Sequence, residues 1–70
     1  MFRDPVVSTS IVSIGFDADN ATLEIEFVIG SIYRYRNVEE DVYESFLAAP
    51  SKGSFFHEHI KDAYLCERVQ

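Results

Sequence analysis

The sequence predicts an α+β fold, in which a three-stranded antiparallel β-meander is followed by two helices packed on one face of the sheet. Between residues 8 and 37, apolar and polar residues alternate with the period of a strand, and turn-forming residues interrupt the alternation twice. After Val38 the apolar residues recur at helical spacing instead. The 70 residues, 47% of them hydrophobic, suffice for one small core. We therefore expect a single domain over residues 1–70, with its core at about 8–65.

The first two strands follow from the alternation itself. Residues 8 to 16 form one strand, residues 22 to 29 form the next, and Asp17 to Asn20 supply the turn between them. The residues predicted to face inward are Val12, Ile14, Phe16, Leu23, Ile25 and Phe27. Ile11 is predicted to face outward, as are the two glutamates of the second strand, Glu24 and Glu26.

The third strand, residues 32 to 37, follows a tight turn at Gly30-Ser31 and carries the most informative segment of the chain. Strand alternation places Tyr33 and Tyr35 on one face and Arg34 and Arg36 on the other. Two aromatic rings beside two guanidinium groups are typical of a surface that stacks nucleic-acid bases.

An ordinary core face explains the same segment. If the apolar residues of the second strand face the helices, Tyr33 and Tyr35 lie beneath the helices too. Arg34 and Arg36 then neutralise Glu24 and the neighbouring outward glutamate as cross-strand pairs. Strand parity favours this second interpretation.

The rest of the chain predicts two helices. The first starts with acidic residues at 39–41, where the helix dipole favours negative charge, and ends at Ala49-Pro50. A loop, Ser51 to Ser54, precedes the second helix and offers serine caps. The two apolar stripes comprise Val42, Tyr43, Phe46 and Leu47, and then Phe56, Ile60, Ala63 and Tyr64. Residues 65 to 70 form an extended tail or a short edge strand.

Composition narrows the function classes. Twelve acidic residues against six basic ones give a net charge of −6, which opposes sequence-independent nucleic-acid binding and attraction to anionic membranes. Cys66 is the only cysteine, so no internal disulfide can form. The first residues lack the apolar run of a signal peptide, and no stretch is long enough to span a bilayer. We expect a cytoplasmic protein whose thin stability margin favours pairing with a second copy.

The Ser51-Lys52-Gly53-Ser54 turn is a second candidate binding site. A glycine-containing turn that enters a helix presents backbone N–H groups, and Lys52 adds positive charge, so the turn suits phosphate or carboxylate. The spacing differs from that of a P-loop, so nucleotide hydrolysis is not indicated. A plain helix cap, with Gly53 at a positive φ, is the favoured alternative.

Metal binding and catalysis find little support. The polar residues near the C-terminus are His57, Glu58, His59, Asp62 and Cys66. Neither the His-x-x-x-His nor the Cys-x-x-Cys spacing of zinc sites occurs. No motif in the sequence places a general base beside Cys66 to activate its thiol. We expect no metal, no cofactor and no catalytic residue.

The order of these motifs resembles the KTSC domain, a module named after the C-terminal extension of some lysyl-tRNA synthetases and also found as small free-standing bacterial and phage proteins. The resemblance covers about Ser10 to Tyr64. It is carried by Ser13–Asp17, Leu23–Phe27, Gly30, Tyr33–Tyr35, Val42-Tyr43, Leu47–Ser51, Gly53, Phe56, Ile60 and Tyr64. Glu39 departs from the proline of many relatives.

The resemblance implies a non-catalytic binding module, with RNA binding suggested by the association with the synthetase. Its contact surface would include Tyr33, Arg34, Tyr35, Arg36 and Lys52, and would take nucleic acid or another anionic partner. One alternative is an oligomeric protein that binds a nucleotide-like or phosphate-bearing ligand with the Ser51 to Ser54 turn and Tyr35. The other alternative is a protein–protein adaptor. For the first alternative, Arg34 and Tyr35 are expected to border the turn.

Overall fold

The computed structural model describes residues 2–70. Within this range the chain forms one antiparallel sheet of five strands in sequence order, together with two helices. The strands are β1 (Asp4–Pro5), β2 (Ile11–Asp17), β3 (Thr22–Phe27), β4 (Ile32–Tyr35) and β5 (Cys66–Arg68). The helices are α1 (Glu40–Ala48) and α2 (Lys52–Phe55), and α2 continues into a π-helical turn at Phe56–Ile60. The α+β class is confirmed, and two short edge strands flank the predicted meander.

The three central strands pair as a meander. Leu23 of β3 lies between Phe16 of β2 and Tyr35 of β4, and Ile25 lies between Ile14 and Tyr33. Strand alternation therefore gives these residues one common face, which the helices cover.

A β-bulge near the start of β2 reverses the predicted faces of two residues. The register moves from Ile11 opposite Phe27 to Ser13 opposite Glu26, which leaves Val12 without a partner. An unpaired extra residue shifts the alternation by one position. Ile11 is therefore buried, whereas Val12 is 40% exposed. The prediction that Val12 faces inward and Ile11 outward is wrong.

The core lies between the sheet and the helices. Its buried members are Ile11, Ile14, Leu23, Ile25, Tyr35, Val38, Phe46 and Ile60. Phe46 of α1 is fully buried and stacks on Phe55 of α2, with ring centroids 5.3 Å apart. Burial of large apolar side chains is the main stabilising contribution in a chain of this size.

The helices end for local reasons. Ala49 precedes Pro50 and is extended (ψ 135°), as the steric restriction before proline requires, so α1 stops at Ala48. The second helix is shorter than predicted. The Lys61 N–H donates to the Phe56 carbonyl in a π-type bond of 2.8 Å, and Asp62 then adopts φ 64°. No helix among residues 2–70 combines the length and apolar character needed to cross a bilayer.

The N-terminal arm, residues 2–5, completes one edge of the sheet through β1. Asp4 pairs with Ile14, and Pro5 pairs with Ser13. A Cβ at Gly15 would lie 2.6 Å from the Phe2 carbonyl oxygen. The arm can therefore pack against β2 only because Gly15 has no side chain.

Candidate functional site

The tyrosines of β4 belong to the core side of the sheet. Tyr35 is 5% exposed, and Tyr33 is partly buried against the same cluster. Their ring centroids lie 6.5 Å apart, and Phe56 of the π-helical turn contacts Tyr35 edge-on at 5.9 Å. Burial, with smaller contributions from Cys66 and neighbouring groups, raises the pKa of Tyr35 to about 12. Tyr35 is therefore enclosed by the protein and does not form an open stacking surface.

Arg34 lies on the outer face of the sheet, where it binds Glu24. The Arg34 Nε donates to Glu24 Oε1 at 2.8 Å, and an Arg3 terminal nitrogen donates to the other carboxylate oxygen. The Glu24 side chain is only 4% exposed. Burial alone would raise the pKa of Glu24, but the hydrogen bonds from Arg34 and Arg3 outweigh it and hold that pKa below the ordinary value.

The remaining charges of this face are also paired, although not as the sequence predicted. Arg36 forms an ion pair with Glu67 of β5, where a cross-strand glutamate of β3 was expected. Glu26 instead accepts a hydrogen bond from Ser13 at 2.8 Å and lies 3.8 Å from an Arg3 terminal nitrogen. Arg3 was missed because its partners are distant in sequence, and the two-residue β1 is too short to show alternation.

The outer face is consequently close to neutral. It combines three of the six basic residues with three of the twelve acidic ones: Arg3, Arg34, Arg36, Glu24, Glu26 and Glu67. The net charge of −6 therefore lies on the rest of the chain.

The Ser51 to Ser54 turn is a helix cap. The Ser51 Oγ accepts the Ser54 N–H at 3.2 Å, as an N-cap side chain does. The Lys52 Nζ donates to the Ala49 carbonyl. Gly53 adopts no positive φ, contrary to expectation; a Cβ there would lie 3.1 Å from the Ser10 Oγ, so the loop before β2 packs against it.

The turn and the last residue of β4 lie toward opposite ends of the sheet. Gly53 approaches Ser10, which precedes the first residue of β2. Tyr35 ends β4 and pairs with Leu23, which pairs with Phe16 near the last residue of β2. The expectation that Arg34 and Tyr35 border the turn is therefore wrong. The eight candidate residues form two separate groups: Tyr33, Arg34, Tyr35 and Arg36, and Ser51, Lys52, Gly53 and Ser54.

A cleft beside the turn is lined by Val7, Ser8, Thr9, Pro50, Ser51, Lys52 and Gly53 and encloses about 390 Å³. The Ser8 Oγ accepts weak hydrogen bonds of 3.3 Å from the Ser10 and Ile11 N–H groups. The cleft thus brings hydroxyl groups beside one lysine.

The polar residues near the C-terminus do not share one helix face, because Asp62 and Cys66 lie beyond the π-helical turn, Phe56–Ile60. His59 packs on Phe55, with ring centroids 4.6 Å apart, and Cys66 is exposed on β5. Within residues 2–70, no three His, Cys, Asp or Glu side chains are arranged so that they could hold a metal ion.

Sequence reasoning missed a second cleft, of about 420 Å³, at the other side of the molecule. Its side chains come from the N-terminal arm, from the turn after β2 and from α1. They include Phe2, Asp4, Phe16, Asp17, Asp19 and Tyr43. The alternation of Phe2 and Asp4 with Arg3 is the one signal in the sequence that points to it.

Comparisons with known proteins agree with this fold. The crystal structure of a KTSC domain protein from Yersinia pestis superposes with a TM-score of 0.94 at 44% identity, and the match covers 99% of this chain and 97% of that one. An uncharacterized protein of Stutzerimonas stutzeri is 38% identical over 61 residues, which is 87% of this chain and 86% of the relative.

A lysine–tRNA ligase of Nostoc sp. is 41% identical over 54 residues, which is 77% of this chain but only 10% of the ligase. The KTSC domain family model matches residues 7–64. The resemblance inferred from the order of the sequence motifs is thereby confirmed: the chain belongs to the KTSC domain family.

Proposed function

We propose that this chain is a small non-catalytic module that binds another protein. The observation that carries the proposal is the distribution of charge. The arginines expected to meet an anionic partner are paired on the outer face, and the net charge of −6 remains on the rest of the surface. Such a surface attracts cationic protein segments and repels phosphate backbones.

Nucleic-acid binding at β4 would require the existing pairs to break. If Arg34 turned toward a phosphate, Glu24 would lose one of its two cationic partners while remaining 4% exposed. The nearly buried Glu24 would then be destabilised, although by less than in a fully buried ion pair, because Arg34 is itself 42% exposed. Arg36 and its partner Glu67 are about half exposed, so Arg36 alone is available at small cost. One arginine is a poor basis for nucleic-acid affinity.

The lengths of the related proteins support a module that is used both alone and as part of larger proteins. Related sequences occur both as small proteins, such as that of Stutzerimonas stutzeri, and as about 10% of lysine–tRNA ligases. A domain that is used alone and joined to a larger enzyme is well suited to contribute an interaction surface.

The test compares ligand classes on the same ¹⁵N-labelled protein. Oligo-uridine RNA is titrated at two salt concentrations, and peptides are selected from a random displayed library, resynthesised and titrated. We expect selected peptides to shift a defined set of amides, and RNA to cause no saturable shifts. RNA binding that weakens steeply with salt, together with a library that yields no binding peptide, would overturn the proposal.

A second candidate function is the binding of a small anionic ligand beside Lys52. It is favoured by the cleft of about 390 Å³, where Lys52 lies with the hydroxyl-bearing Ser8, Thr9 and Ser51. Titration with inorganic phosphate and with adenosine monophosphate should then shift the amides of this cleft. Lys52→Gln should abolish the shifts, while Lys61→Gln, at an exposed lysine elsewhere, should preserve them. Absence of saturable shifts in the wild type would remove this candidate.

A further inference from the structure

The second cleft, which we call the Phe16–Tyr43 cleft, has an aromatic floor. The Phe16 and Tyr43 rings stack with centroids 5.0 Å apart and planes inclined by 13°. Phe2 also lines the cleft, yet it is 80% exposed. The cleft therefore offers ring surface to a partner.

The N-terminal arm builds one wall of the cleft. Arg3 reaches the outer face of the sheet, where it binds Glu24 and also donates to Ser13 at 3.1 Å. Because residues alternate along an extended arm, Phe2 and Asp4 point to the opposite, helix-covered side. The ion pair on the outer face thus fixes the position of the wall on the inner side.

Carboxylates surround the aromatic floor. Asp4 comes from the arm, and Asp17 and Asp19 come from the turn after β2. None of the three forms an ion pair with a side chain of residues 2–70, and no lysine or arginine lines the cleft. A hydrogen bond from the Asn20 side chain lowers the pKa of Asp17. Its carboxylate therefore stays ionised under ordinary conditions.

The combination selects for an organic cation. A bare metal ion needs several oxygen ligands that converge on it, whereas this floor is made of rings. A guanidinium group is planar, is attracted to ring faces and pairs with carboxylates at its edges. An arginine side chain thus matches both the floor and the surrounding carboxylates.

We propose that the Phe16–Tyr43 cleft binds an arginine side chain carried by a basic segment of a partner protein. This inference rests on the proposed interaction function and adds the site and the chemistry of the partner.

The experiment titrates the ¹⁵N-labelled chain with a synthetic peptide, acetyl-Gly-Arg-Gly-Gly-Arg-Gly-amide. A second peptide contains citrulline, which keeps the shape of arginine but removes its charge. We expect saturable shifts centred on Phe2, Asp4, Phe16, Asp19 and Tyr43. The citrulline peptide should bind about tenfold more weakly, since both the cation–π and the ionic contributions are lost.

Variants distinguish binding in the cleft from a general attraction of the basic peptide to the acidic protein surface. The double variant Asp4→Asn/Asp19→Asn should lower the affinity for the arginine peptide by about fivefold. The variant Phe2→Ala should lower it by about threefold. The matched control Glu40→Gln/Glu58→Gln removes the same charge at exposed positions outside the cleft and should leave the affinity within about twofold. The amide spectrum of each variant shows that it is folded.

Three results would overturn this inference. They are equal binding of the two peptides, equal weakening by the two double variants, and shifts centred outside the cleft. If library-selected peptides bind another surface, the interaction function stands and the cleft assignment fails. If no peptide binds while RNA does, both fail.

Discussion

Replacement of Glu24 by glutamine tests the charge pairing that neutralises the outer face of the sheet. Glu24 is 4% exposed and accepts hydrogen bonds from Arg3 and Arg34. A hydrogen bond to a charged group contributes about 1.5–3 kcal/mol to stability. The two arginine side chains are 26% and 42% exposed, so water replaces part of the lost interaction. We expect Glu24→Gln to lower the free energy of unfolding by about 2 kcal/mol at pH 7.

The effect should depend on pH with a definite sign. The pKa of Glu24 is lower in the folded protein than the ordinary value of 4.5. The stabilisation is therefore complete above pH 4.5 and is lost as the pH falls through the folded pKa. Wild type and Glu24→Gln should consequently converge in acid.

Urea unfolding, followed by circular dichroism between pH 2 and pH 7, measures both effects. Glu44→Gln removes an exposed carboxylate of α1 and serves as the control, which should change the free energy of unfolding by less than about 0.5 kcal/mol. Equal stability of Glu24→Gln and wild type at pH 7, or a difference that persists unchanged in acid, would refute the reasoning.

Three further predictions concern the core and the helix cap. Phe46→Ala should cost about 3–5 kcal/mol, seen as a lower urea midpoint, because Phe46 is fully buried and stacks on Phe55. Tyr35 should ionise near pH 12 in an absorbance titration of the folded protein, and ionisation near pH 10 would contradict its burial. The free energy of unfolding should fall as the pH rises above 10, because the tyrosine loses its proton at a lower pH in the unfolded chain than in the folded protein. Ser51→Ala should cost about 1 kcal/mol of unfolding free energy through loss of the cap, whereas Ser51→Asp should retain most of it.

The meander and the placement of its tyrosines were predictable because each depends on local alternation. Once Leu23 and Ile25 face the core, antiparallel register puts Tyr35 and Tyr33 on the same side. The structure agrees, and Tyr35 is one of the buried core residues. The cap at Ser51 was predictable for a similar reason, since its partner lies three residues away.

The bulge in β2 could not be read from the alternation. Ile11 and Val12 are both apolar and β-branched, so either suits the inward position. Pairing with Phe27 and Glu26 of β3 determines where the extra residue falls. That information lies in the partner strand.

The composition of both clefts also depends on contacts between distant segments. Gly53 meets Ser10, and Asp4 of the arm joins the cleft around Phe16 and Tyr43. The sequence does not reveal the direction that the chain takes after α1. In the structure, the segment after α1 places the Ser51 to Ser54 turn away from Tyr35. Long-range packing therefore separates Tyr35 from the Ser51 to Ser54 turn, although the sequence motifs had suggested that they form one site.

Intermolecular nuclear Overhauser effects test the central claim most directly, because they locate the bound arginine. The complex of the labelled chain with acetyl-Gly-Arg-Gly-Gly-Arg-Gly-amide should show contacts from the arginine δ-methylene protons to the rings of Phe16, Tyr43 and Phe2, which line one cleft. Contacts to other residues instead, or a complex without contacts to these rings, would contradict the proposed site.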